Sequence, residues 1–103
     1  MVQALSEATF ESFLQENPVV LVDFTATWCG PCQMLKPVVE QLSKDYAGKV
    51  GIAMVDIDQN KNIAVNFRIM SVPTVMVFKN GKPIETIVGL RSKPDYARIL
   101  DAQ

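Results

Sequence analysis

Residues 19 to 32 read Val19-Val20-Leu21-Val22-Asp23-Phe24-Thr25-Ala26-Thr27-Trp28-Cys29-Gly30-Pro31-Cys32. The run Val19 to Thr25 is apolar apart from Asp23 and its closing threonine, which predicts a central strand covered on both faces. A helix is predicted to begin at or just after Cys29, because Pro31 is tolerated in a first turn where its missing N–H would have had no partner. Beyond it, Val38, Val39, Leu42 and Tyr46 recur at helical spacing, and Gly48 serves as terminator. Pro37 falls inside that helix and predicts a kink. The Cys-x-x-Cys pair therefore sits where a buried strand hands over to a helix.

That junction has chemical consequences. Unpaired amide N–H groups and the helix dipole favour negative charge at a helix N-terminus, so they stabilise a thiolate at Cys29, the form that attacks disulfides. Cys32 lies one turn deeper on the same face, within reach of the first sulfur. The pair reads as an exposed nucleophile backed by a sheltered resolving thiol. Half of a structural zinc site is the competing reading, but such sites need four ligands. This chain has two cysteines and no histidine, so only a metal shared across a dimer would rescue it, and no metal is expected.

Outward from this stretch, Ser6 to Glu16 reads as an amphipathic helix with Ser6 as N-cap and Phe10, Phe13 and Leu14 on one face. Val50 to Asp56 reads as a second buried strand, and Asn60 to Phe67 as a short helix. Thr74 to Lys79 and Ile84 to Val88 flank Asn80-Gly81, a two-residue hairpin signal. Ser92 opens a last helix through Leu100, with Asp95 at the acidic position of a capping box. This order predicts an α/β sheet sandwiched by helices, parallel at first and antiparallel at the hairpin edge.

The 103 residues read as a single domain spanning 1–103. Ten basic and eleven acidic residues leave a net charge of −1 with no basic patch, so nucleic acid is not an expected partner. The apolar runs are strand length, well short of the ~20 residues that span a membrane, so no membrane association is expected. The opening Met1-Val2-Gln3-Ala4-Leu5-Ser6-Glu7 has no basic region before an apolar stretch, and the expected location is cytoplasmic. Two cysteines in one motif are also unlike a disulfide-rich secreted scaffold.

The pentapeptide Trp28-Cys29-Gly30-Pro31-Cys32 occurs together with Val22-Asp23-Phe24, Asp58-Gln59-Asn60, Val72-Pro73-Thr74, Phe78-Lys79-Asn80-Gly81 and Val88-Gly89. This set resembles the thioredoxin family over essentially the whole chain. The resemblance implies a thioredoxin fold, a central five-stranded mixed sheet flanked by four helices, with residues from about Val2 to Leu5 as an additional edge strand. It implies a protein-disulfide reductase cycling between dithiol and disulfide at Cys29 and Cys32. It further implies a monomer without a cofactor of its own, recharged by a thioredoxin reductase (an NADPH-dependent flavoprotein) and acting on disulfide-containing target proteins. Gly30-Pro31 between the cysteines resembles the reducing branch of the superfamily, whereas oxidases and isomerases usually carry a histidine there.

The same resemblance decides between paired readings of single residues. Asp23, which alone could be a solvated strand-end acid, becomes a buried carboxyl behind Cys32, raised by burial into the range of a base for that thiol. Base rates favour a trans Val72–Pro73 bond, whereas the resemblance implies a cis-proline facing the disulfide. There Val72 would pair through its backbone with an incoming extended peptide, and Pro73 would shield the sulfurs. Trp28, a core aromatic on its own reading, becomes with Gly30, Pro31, Val72, Pro73 and Gly89 a shallow apolar contact surface. Gly89 alone could simply end a strand.

Three positions depart from the family pattern. Met54 stands where several members carry a lysine, so Asp23 is expected to lack a nearby cation. Gln33 replaces a basic residue common after the second cysteine, and Thr25 replaces an aromatic. A general disulfide reductase is the leading reading, ahead of a reductant dedicated to one enzyme or stress pathway and of a non-redox binding module. Asp56, Asp58 and Asn60 imitate the start of a calcium loop, but Lys61 and Phe67 stand where glycine and glutamate are needed. The five methionines read as core filler.

Overall fold

The computed structural model describes residues 2–103. Its strands are β1 (Gln3–Ala4), β2 (Val19–Thr25), β3 (Gly51–Asp56), β4 (Thr74–Lys79) and β5 (Lys82–Val88). Its helices are α1 (Phe10–Glu16), α2 (Gly30–Asp45), α3 (Lys61–Asn66) and α4 (Lys93–Asp101). One sheet takes the order β1-β3-β2-β4-β5. Strands β1, β3 and β2 run parallel to one another, while β4 is antiparallel to both β2 and β5. This is the mixed five-stranded sheet with four helices that the family resemblance implied. The N-terminal edge strand is present but shortened to two residues, with the Leu5 amide still donating to the Met54 carbonyl at 2.8 Å.

Strand β2 is the middle strand, and its apolar run follows from having both faces covered. Val20, Val22 and Phe24 join Phe10, Leu14, Ile63 and Phe78 on the α1–α3 side. Leu21 joins Leu35, Leu42, Tyr96 and Leu100 on the α2–α4 side. Side chains alternate along a strand, so Asp23 shares the face of Leu21 and lies beneath α2 and α4.

Several boundaries differ from the sequence reading, for tertiary reasons. Helix α1 begins at Phe10 with Thr9 as N-cap, not at Ser6. Ser6 instead organises a preceding turn, its carbonyl accepting the amides of Thr9 and Phe10 at 3.1 and 3.0 Å. Glu7 is drawn away to α3, where its carboxylate accepts the Asn62 amide at 2.9 Å. Helix α2 runs unbroken through Pro37, which has no N–H to offer the Gln33 carbonyl one turn earlier. Tyr46 is the C-cap of α2, and Gly48 supplies a left-handed turn residue (φ +80°) just beyond. The hairpin turn has φ +52° at Asn80 and +83° at Gly81, the doubly positive pattern that such two-residue turns need. The ladder runs right up to this turn, Lys79 opposite Lys82, so β5 starts two residues before Ile84. Ser92 and Asp95 form the capping box of α4, and the Ser92 amide donates to the Asp95 carboxylate at 3.3 Å. Among the described residues, no helix is long and apolar enough to cross a membrane.

Candidate active site

The cysteines lie past the C-terminal end of β2, at the mouth of α2. Cys29 is the N-cap of α2 in extended conformation, and its Sγ accepts the Cys32 amide N–H at 3.1 Å. That is where a helix presents donors without partners of their own, favouring negative charge on the sulfur. Pro31, in the first turn, adds no further donor. The Cα atoms of Cys29 and Cys32 are 5.2 Å apart, a separation a disulfide spans without backbone movement, and the two sulfurs are joined.

Both cysteines are more covered than the picture of an exposed nucleophile anticipates, Cys29 being 5% and Cys32 1% exposed. Ala26, Ile57 and Val72 pack around the pair. The Val72 carbonyl oxygen lies 3.7 Å from the Cys29 sulfur, so a loop distant in sequence overhangs that sulfur. The Val72–Pro73 peptide is cis, and Pro73 is buried. The Pro73 carbonyl accepts the Gly89 amide at 2.9 Å, which stitches the end of β5 to this loop. Gly89 has φ +93°, so its backbone conformation favours glycine by itself.

Trp28 is not a core residue. It is 68% exposed, and its Nε1 donates to Asp58 Oδ2 at 2.8 Å. Asp56 Oδ1 in turn accepts the amides of Asp58 and Gln59 at 2.9 and 3.1 Å. The sequence that imitates a calcium loop is therefore a turn cap followed by an anchor for the indole. Asp58 thus belongs beside the site through Trp28, a role that neither residue's local context signals. Gly30 and Pro31 are exposed on the same rim.

Asp23 is 1% exposed, and its Oδ1 has no hydrogen-bond partner. Burial pushes its carboxyl from the ordinary 3.8 to about 7, against a downward pull from Lys36. This corrects the expectation that Asp23 lacks a nearby cation. Met54, its register partner on β3, is uncharged, but Lys36, one turn beyond Cys32 on α2, acts in its place. Thr25, Gln33, Lys36, Met54 and Asp56 line a cavity of about 90 Å³ on this side of the site. Among the described residues, no group of three or more His, Cys, Asp or Glu side chains is placed to hold a metal.

The methionines also divide. Met76 belongs to the core and Met54 packs against it, but Met34 and Met70 are 65% and 92% exposed, so the core-filler reading fails for these two. Met1 lies outside the described residues.

The family model described as Thioredoxin matches residues 1–102. A thioredoxin of Staphylococcus aureus is 46% identical over 97 residues, covering 94% of this chain and 92% of its own length. Among solved structures, a point mutant of thioredoxin from Halobacterium salinarum NRC-1 superimposes with a TM-score of 0.91 at 34% identity, over 97% of this chain and 88% of that one. Plasmodium falciparum thioredoxin gives 0.90 at 34% identity, over 98% of both chains. With its Cys29–Cys32 pair at the mouth of α2, the chain belongs to the thioredoxin family and is a thiol–disulfide oxidoreductase.

Proposed function

We propose that Cys29 is the attacking thiolate, Cys32 the resolving thiol and Asp23 the base that serves Cys32. The carrying observation is the Cys32 amide donating to the Cys29 sulfur at 3.1 Å at a helix N-cap, which favours ionised sulfur there. In the first exchange the Cys29 thiolate attacks a target disulfide, forming a mixed disulfide and expelling one target thiolate. Asp23 then takes the proton of Cys32, directly or through a water. The Cys32 thiolate attacks the Cys29 sulfur, expelling the second target thiolate and leaving the Cys29–Cys32 disulfide. Two electrons pass to the target, and its two thiolates are protonated from Asp23 and solvent.

Trp28, Gly30, Pro31, Val72, Pro73 and Gly89 form the surface that receives the target, with the Val72 backbone pairing with an extended peptide beside its disulfide. The exposed indole and the overhang of Val72 above Cys29 support this reading. The protein works as a cytoplasmic monomer and is recharged by a thioredoxin reductase, a flavoprotein drawing on NADPH. Gly30-Pro31 between the cysteines, with no histidine, supports the reducing direction. Insulin reduction by dithiothreitol tests the whole. The parent accelerates it and Cys29→Ser abolishes the acceleration; equal rates would refute the proposal. NADPH consumption with a purified reductase tests the recharging step.

A further inference from the structure

Met70 is the most exposed large apolar residue among those described, and the backbone around it explains the display. After α3 the chain turns through Arg68 in left-handed conformation (φ +55°), whose amide donates to the Val65 carbonyl at 3.1 Å. Ile69 is thereby packed against the α1–α3 core, its amide held by the Ala64 carbonyl at 2.9 Å, and Met70 is turned outward. On the other side the Ser71 carbonyl accepts the Thr74 hydroxyl at 2.6 Å. The thioether therefore stands on a loop tied down on both flanks, two residues before the Val72 carbonyl that overhangs Cys29.

We propose that Met70 is a modification site for hydroperoxides, and that its conversion to the sulfoxide weakens docking of protein disulfides at the adjoining rim. The thioether sulfur attacks a peroxide oxygen, the O–O bond breaks and an S–O bond forms. The sulfur gives up two electrons, and the peroxide leaves as water or an alcohol carrying its own proton. The product is polar where an apolar contact stood. Exposure orders the described methionines: Met70 first, Met34 next, then Met54 and Met76. The consequence for docking rests on the reading that targets bind across Val72 and Pro73.

The disulfide form, whose cysteines offer no thiolate, is treated with hydrogen peroxide, and sulfoxide is measured at each methionine by peptide mass mapping. Met70 is expected to convert first. Dithiothreitol then regenerates the dithiol without removing the sulfoxide. The KM for insulin is expected to rise about fivefold, while turnover of a small aromatic disulfide is unchanged. In Met70→Leu the same peroxide treatment leaves that variant's own KM where it was. Oxidation of Met34 or Met76 ahead of Met70, a KM unmoved by the sulfoxide, or an equal rise in Met70→Leu each overturns the proposal. Failure of the untreated protein to reduce insulin would instead overturn the underlying reading, and the docking consequence with it.

Discussion

Asp23 and Met54 stand opposite each other across the parallel β2–β3 register, yet the cation that acts on the Asp23 carboxyl is Lys36, on the helix that crosses above. The acid is thus buried against an uncharged neighbour and tempered from an exposed position. Its protonation state near neutrality is the balance of these two influences.

Stability should therefore depend on pH through Asp23. The carboxyl ionises near 3.8 in the unfolded chain and at about 7 in the folded one. Between those values the folded protein holds a proton that the unfolded chain has released, so stability falls as pH rises through this window and levels off above it. The whole interval corresponds to on the order of 4 kcal/mol. Asp23→Asn removes this penalty: in urea unfolding it should exceed the parent by a few kcal/mol at pH 8, the gain shrinking towards pH 4. A gain independent of pH would show that the Asp23 carboxyl does not titrate in this window.

Lys36→Met should raise the Asp23 carboxyl further, since it removes the charge among the described residues that lowers it. Lys36 is exposed, so solvent screening keeps the effect small beside that of burial. The carbon resonance of the Asp23 carboxyl should titrate at higher pH in this variant and at the parental value in Lys36→Arg. The pH midpoint of the resolving step should move with it. Met54→Lys should shift both in the opposite direction.

Asp58 should control the posture of the only tryptophan in the chain, so indole fluorescence reports on one site. Asp58→Ala frees Nε1 of Trp28 and should lower the steady-state anisotropy of its emission. Because the pair is exposed, stability should change by only about 0.5–1 kcal/mol. If the indole is a wall of the target surface, the KM for insulin should rise about twofold to fivefold, with small disulfides turned over as before. An unchanged KM alongside altered anisotropy would remove Trp28 from that surface.

The readable parts of this chain are those where local chemistry leaves one solution. The apolar run of β2 requires a middle strand, Pro31 fits a first helical turn, and Asn80-Gly81 fits the doubly positive turn it adopts. The start of α1 is not legible in the same way, because Ser6 and Thr9 are both good caps and nothing local shows that Glu7 is committed to Asn62, 55 residues away. The cover over Cys29 is hidden for the same reason, since Val72 lies 43 residues from it. Lys36 carries a local signal, its place one turn past Cys32, but its action on Asp23 depends on how α2 crosses β2. Methionine is ambiguous by nature: its type says nothing about whether the backbone turns it in, as at Met76 on β4, or out, as at Met70 on a loop.

Gly51 makes a last case where the backbone environment dictates the residue. A Cβ added there would stand 2.7 Å from Cγ of Asn17, well inside contact. Asn17 is not free to swing aside, because its Nδ2 donates to the Phe13 carbonyl at 3.0 Å and closes the end of α1. Gly51→Ala must therefore break that cap or push the start of β3 away from α1, at a cost of about 1–2 kcal/mol. The strand preference for alanine over glycine offsets only part of this. Asn17→Ala alone should cost about 0.5–1 kcal/mol, and in its background Gly51→Ala should lose most of its penalty but not all, because the Cβ at position 17, 3.1 Å from the added methyl, stays in place. A double-mutant cycle by urea unfolding decides the point. If the two penalties simply add, the obstacle at Gly51 is something other than the Asn17 carboxamide.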